Sequence, residues 1–130
     1  MRELLYVFLG GGLGSVMRYA IGLIQRQLVL NPLSTLGQTL FPWPTMLANV
    51  LGCFLIGIFY SISERTGMST EVRLFLTTGL CGGFTTFSTF SSEGIDLLRG
   101  AHLWLFAAYF LLTLMLGLGA VLLGAWVGGK

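Results

Sequence analysis

Apolar residues run along this chain in four long blocks, separated by short polar or proline-bearing stretches. The first block extends from Leu4 to about Leu30, with Arg18 and Gln25 in its second half. The second runs from Thr45 to Ser63, the third from Val72 to Phe90, and the fourth from Leu103 to Val127. A helix needs roughly 20 apolar residues to cross a hydrocarbon core about 30 Å thick. The pattern therefore predicts four membrane-spanning helices. The connecting segments are Asn31–Pro44 (with Pro32, Pro42 and Pro44), Glu64–Glu71 and Ser91–His102. Proline and glycine punctuate local structure, so breaks are expected there. No motif repeats and no stretch suggests a second, soluble unit, so residues 1–130 are read as a single four-helix transmembrane domain. No short apolar stretch followed by a small-residue cleavage site opens the chain, and the first block is expected to remain as a span.

Composition agrees with this reading. Hydrophobic residues make up 55% of the chain and charged residues 9%, and mean hydropathy is +0.85. A soluble domain of this size needs a far more charged surface, and a disordered chain needs low hydrophobicity with high charge. A net charge of +2 spread over the whole chain makes no basic stripe for nucleic acid. Cys53 and Cys81 both lie inside apolar runs, as small buried residues do, and His102 is the one histidine. No His/Cys cluster has metal-ligand spacing, and no nucleophile–base pair points to an enzyme. Four spans put both termini on one side of the membrane, with Arg2, Arg65, Arg73 and Lys130, against Arg26 and Arg99 on the other. That bias modestly favours cytoplasmic termini, yet is weak enough to permit insertion in both directions.

Glycine is abundant, at 19 residues. Gly10/Gly14 and Gly124/Gly128 form GxxxG pairs, and Gly52, Gly57 and Gly117 thin the second and fourth spans. Small residues of this kind let membrane helices approach closely. A phosphate-loop reading of Gly10–Gly14 lacks both the following Lys-Ser/Thr and a preceding strand.

The third span is different. Gly79, Gly82 and Gly83 are followed by the hydroxyl-rich run Thr85-Thr86-Phe87-Ser88-Thr89. A break is expected at the glycine-rich segment, and unwound backbone at membrane depth is tolerated only inside protein or along a wet cavity. Freed carbonyls suit a hard cation, and freed amides and hydroxyls suit an anion. The other reading is a softened helix whose Ser/Thr side chains bond their own backbone. Phe84, Phe87 and Phe90 recur every third residue and would form one stripe, either as packing or as ring edges whose positive rim solvates an anion weakly. Asn49 in the second span and Tyr109 and Thr113 on one face of the fourth add neutral donors. Arg18 would either snorkel or set a positive potential in a vestibule. Every carboxylate (Glu3, Glu64, Glu71, Glu93, Asp96) falls near a span end or in a linker. This disfavours a proton-coupled cation exporter, which exchanges protons at an intramembrane carboxylate.

Three segments carry a resemblance to a known family. Residues Gly10-Gly11-Gly12-Leu13-Gly14-Ser15-Val16-Met17-Arg18-Tyr19, the stretch from Thr45 through Asn49 to Phe54, and the run from Gly79 to Glu93 resemble the first-, second- and third-helix motifs of the Fluc/CrcB fluoride channels. The third is the most specific, and order, spacing and total length agree over essentially the whole chain. Pro44 stands where the family usually has Gly, and the linker before it is longer than usual. The resemblance implies an all-α membrane protein: four transmembrane helices, the third broken, in an antiparallel dual-topology homodimer with two anion pathways. It implies passive, selective fluoride export across the bacterial cytoplasmic membrane, relieving fluoride toxicity. By the same resemblance Phe87 and Phe90 would supply ring edges, Asn49 a hydrogen-bond donor, Ser88 and Thr89 hydroxyls near the break, and Tyr109 and Thr113 a polar track. That track often continues one turn later, where this chain has Gly117. The backbone carbonyls of Gly82 and Thr85 would hold a structural sodium ion shared between two subunits, Arg18 would line a vestibule, and the role of Glu93 is left open. The competing readings are a small dual-topology multidrug or cation exporter, which would carry a mid-span carboxylate in its first helix, and a purely structural subunit, whose third-span hydroxyls and phenylalanines would tolerate leucine.

Overall fold

The computed structural model describes residues 1–30 and 40–130, and all regular structure among them is helical. Helix α1 spans Arg2–Leu30 and α2 spans Trp43–Thr66. Helix α3 covers residues 70–84 in three joined pieces: a turn at Thr70–Leu74, a wide π-helical stretch at Phe75–Cys81, and a closing turn at Gly82–Phe84. Helix α4 is Phe87–Arg99 and α5 is Leu103–Gly128. Most of the Asn31–Pro44 connection lies outside the described residues.

Three of these helices contain stretches long and apolar enough to cross a membrane: Arg2–Ile24, Trp43–Thr66 and Leu103–Gly128, of 23, 24 and 26 residues. At 1.5 Å per residue each reaches about 35–39 Å, more than the hydrocarbon thickness. Their outer faces are apolar and bare, with Phe8, Val16, Met115 and Leu122 all at least 65% exposed. Water would not tolerate so much exposed apolar surface on a small protein, whereas lipid does.

The ends follow from local chemistry. Pro44 sits in the first turn of α2, where a missing N–H costs nothing because that donor has no helical partner. Gly67 closes α2 in the left-handed region at φ 63°, donating its amide to the Ser63 carbonyl. Ser69 then accepts from the Val72 amide and starts α3 two residues later.

Packing resolves into two principal helix pairs, α2 on α5 and α1 on α3. Glycine sets the approach in both. A Cβ placed on Gly14 would lie 2.7 Å from the Phe84 amide nitrogen, and one on Gly79 would lie 2.9 Å from Gly10 Cα. In the other pair, a Cβ on Gly57 would lie 2.9 Å from the Ala125 nitrogen and one on Gly128 2.7 Å from the Ile58 carbonyl oxygen. These are backbone atoms, so neither helix yields without separating. Lipid offers no hydrophobic drive to association, and close backbone contact is what remains to hold the helices together. Gly14→Val is therefore expected to destabilise the fold by about 1–3 kcal/mol, the usual cost of overpacking. Gly119→Ala, where nothing lies within 4 Å, should be harmless. Thermal melts in detergent check both.

The third span departs from expectation in three ways. Its glycines are helical, and the break falls just after them, at Thr85 (φ −82°, ψ 156°) and Thr86 (φ −151°, ψ 118°). Glycine loosens the segment into wide turns, but two β-branched threonines are the residues that adopt extended backbone. Secondly, most of Ser91–His102, read as a linker, continues α4 as far as Arg99 and buries Gly94 and Leu97. Thirdly, the break separates Phe84 from Phe87 and Phe90, so the three rings do not form one stripe. Phe84 is instead buried where α3 passes Gly52 of α2.

Candidate functional site

The break is held by one side chain. Asn49 Oδ1 accepts from the Thr86 amide at 2.8 Å, and Asn49 Nδ2 donates to the Thr86 carbonyl at 3.2 Å. The carboxamide thus satisfies both backbone groups of an extended residue, as a neighbouring strand would. One amide hydrogen of Asn49 is left over. Thr86 Oγ1 meanwhile caps α4, accepting from the Thr89 amide at 3.2 Å, and contacts the hydroxyls of Thr89 (3.1 Å) and Ser88 (3.2 Å). On the other side, Thr85 turns its hydroxyl back to the Cys81 carbonyl at 2.9 Å.

Two cavities flank this break. The first, of about 410 Å³, is lined by Ser15, Arg18, Arg26, Thr86, Thr89 and Glu93, among others. The second, of about 310 Å³, is a more apolar groove whose polar wall is Asn49, Cys53, Thr85, Thr86 and Thr113, with Phe87 and Phe90 beside them. Thr86 belongs to both walls, so the broken backbone stands between the two spaces. Thr113 is 8% exposed, and its hydroxyl has no hydrogen-bond partner among the described residues. An orphaned buried hydroxyl is costly unless something other than protein completes it.

Glu93 ties three helices together. Its Oε1 accepts from Thr45 Oγ1 of α2 at 2.8 Å and its Oε2 from the Tyr109 hydroxyl of α5 at 2.7 Å. Tyr109 is fully buried, with Phe90 at 4.9 Å and Phe41 at 5.5 Å between ring centroids. Two hydroxyl donors occupy the carboxylate and fix α4 on the α2–α5 pair.

The sequence of this chain has counterparts among known proteins. The sequence profile of the family described as CrcB-like protein, Camphor Resistance (CrcB), matches residues 5–125. The chain belongs to the CrcB-like family. Among relatives, a protein of Phocaeicola vulgatus is 47% identical over 128 residues, covering 98% of each chain, and is named fluoride-specific ion channel FluC. Proteins of the same name from Bacteroides fragilis and Thermus thermophilus are 46% and 42% identical, covering 98% and 99% of this chain and 97% of each relative.

In this CrcB-like chain, the residues picked out from sequence fall into separate groups. Asn49, Phe87, Phe90 and Thr113 gather on the groove, and Arg18 and Thr89 on the larger cavity. Ser88 is exposed and lines neither, and the Tyr109 hydroxyl is taken up by Glu93 rather than standing on a cavity wall. Arg18 Nε donates to the Gly83 carbonyl at 3.3 Å, near the end of α3, where Ser15 Oγ also donates at 3.5 Å. Sequence reasoning misses Thr86 and Cys53. Thr86 carries a signal, as one of two adjacent hydroxyls at the end of the glycine cluster, while Cys53 resembles any buried thiol.

The Gly82 and Thr85 carbonyls fit a hard cation. In an unbroken helix the amides of Thr86 and Thr89 would cap them, but here those amides donate to Asn49 and to Thr86 Oγ1. Gly82 is also exposed on the surface of this chain. Two carbonyls are too few for a hard cation, which takes about six oxygens, so such a site would draw on a second copy and water.

Proposed function

We propose that this chain forms a fluoride-selective channel that passively exports fluoride across the bacterial cytoplasmic membrane and so lowers its toxicity inside the cell. It carries no reaction chemistry. The supporting observation is the place of Thr86, on the wall of a cavity bearing Arg18 and Arg26 and also on that of a groove lined by Asn49, Thr113 and the rings of Phe87 and Phe90.

The physical demand is replacement of water. A small bare anion in a medium of low dielectric costs tens of kcal/mol by Born solvation. Arginines at the wide cavity raise the local anion concentration. Past the break, neutral donors and ring edges take over, and these bind firmly enough for entry yet weakly enough for release. A mid-groove cation would hold the ion too tightly, and none is among the described residues that line it. Asn49 both donates and keeps Thr86 extended, and Glu93 holds α4, with its two phenylalanines, against α2 and α5.

One chain leaves the groove open along its side, so the working unit is a homodimer. The weak charge bias suits an antiparallel, dual-topology pair with two pathways, in which α3 and α4 together make the fourth crossing of each subunit. The Gly82 and Thr85 carbonyls of both copies would hold a sodium ion there, supplying fixed positive charge that pins the interface.

Purified protein in fluoride-loaded liposomes, made permeable to potassium, tests the function. A fluoride electrode should record rapid efflux above protein-free vesicles, and chloride-loaded vesicles should retain their contents. Efflux no faster than that from empty vesicles, or proton-driven uptake of aromatic cations instead, contradicts the reading.

A further inference from the structure

The groove loses polar side chains towards its lower end. Thr113 and Gly117 lie one turn apart on α5, and Asn49 and Cys53 one turn apart on α2, all four on the groove wall. The upper level of this pair of tracks has an amide and a hydroxyl. At the lower level Gly117 offers no side chain, and the neighbouring wall is Leu114, Leu118 and Val121. The nearest side-chain atom to that vacant position is a thiol: a Cβ built on Gly117 would lie 3.5 Å from Cys53 Sγ, at ordinary contact distance. Thr113, on the same wall, is more than nine-tenths buried, and its hydroxyl has no hydrogen-bond partner among the described residues.

We infer that the Cys53 thiol is the hydrogen-bond donor of the pathway at the depth of Gly117, completing with Thr113 a fluoride subsite between α2 and α5. The inference rests on the channel reading above. An S–H group is a weak, polarisable donor, and a weak donor next to an anion is what passage rather than capture requires. The absent side chain at Gly117 leaves the space the ion would use. Cys53 is half-buried on the groove wall and free of any disulfide, so its S–H remains available.

Fluoride efflux from liposomes tests this with four proteins: wild type, Cys53→Ala, Cys53→Ser, and Cys53→Ala combined with Gly117→Ser. Cys53→Ala should lower flux about tenfold, the kinetic equivalent of one hydrogen bond to an ion, with elution as a dimer unchanged. Cys53→Ser returns a donor and should stand well above the alanine variant. The double variant should also recover, because a hydroxyl from residue 117 reaches the same space from the facing helix. A purely structural role for the thiol predicts no rescue from the opposite helix. Wild-type flux in Cys53→Ala, or a double variant no faster than Cys53→Ala, overturns the inference while leaving the channel reading standing. A wild-type protein that passes no fluoride overturns the channel reading and this inference with it. Should Cys53→Ala fail to fold, Cys53→Val with and without Gly117→Ser provides the same comparison.

Discussion

Replacing Asn49 with leucine should all but abolish fluoride efflux. The substitution removes the spare donor from the groove and frees both backbone groups of Thr86, held at 2.8 and 3.2 Å. Leaving two part-buried polar groups unpaired costs about 2–4 kcal/mol, and a loss of that size in the conducting geometry is worth on the order of 100-fold in rate. Asn49→Asp separates the two roles. A carboxylate still accepts from the Thr86 amide, so the break survives, but it has no hydrogen to give and its charge opposes an anion. The aspartate variant should therefore melt closer to wild type than the leucine variant, yet conduct equally poorly. Efflux within about twofold of wild type in either variant would remove Asn49 from the pathway, since a factor of two is well under the energy of one hydrogen bond.

The phenylalanines give the second large effect, and the structure says which one is the cleaner probe. Phe87 is 77% exposed on this chain and lies on the groove wall. Phe87→Ile removes a ring edge but little packing within the chain, so flux should fall at least about tenfold while the melting temperature holds, as surface substitutions usually leave stability within ~0.5 kcal/mol. Phe90 is 3% exposed and stacks on Tyr109 and Phe110, with ring centroids 4.9 and 4.4 Å away. Phe90→Ile should lower both flux and stability, the latter by about 0.5–3 kcal/mol, as core changes commonly do. Parallel melts and efflux assays on the two variants check this. Unchanged flux in both would show that the rings are packing alone.

Much of this architecture is legible in the chain itself. Three spans are plain because an apolar run of membrane length, nearly free of charge, suits a lipid-crossing helix and little else. The GxxxG pairs correctly indicate close helix crossings, since Gly10, Gly14, Gly124 and Gly128 each meet neighbouring backbone. The third span is harder. Its glycines attract attention as breakers, yet glycine in a membrane helix serves packing as readily, and Gly79 and Gly83 do so against α1. What breaks the helix is a competing partner 37 positions away, the Asn49 carboxamide, and no local window contains that information. The same holds for α4. Ser91–His102 looks like a linker because it follows the apolar run and carries the turn formers Gly94 and Gly100, but Glu93 finds its partners on α2 and α5, which only the fold brings together. Thr113 and Tyr109 share a helix face, so sequence groups them; the structure parts them, because Glu93 takes the tyrosine hydroxyl and leaves that of the threonine unpaired.

The central claim is that neutral donors and ring edges along the Thr86 junction accept fluoride in place of water and refuse other ions. Current across a planar bilayer containing the purified protein, with fluoride and chloride gradients set in opposite directions, tests it most directly. Current that reverses at the fluoride equilibrium potential is the predicted result; reversal at the chloride or cation potential, or no current at all, would contradict it.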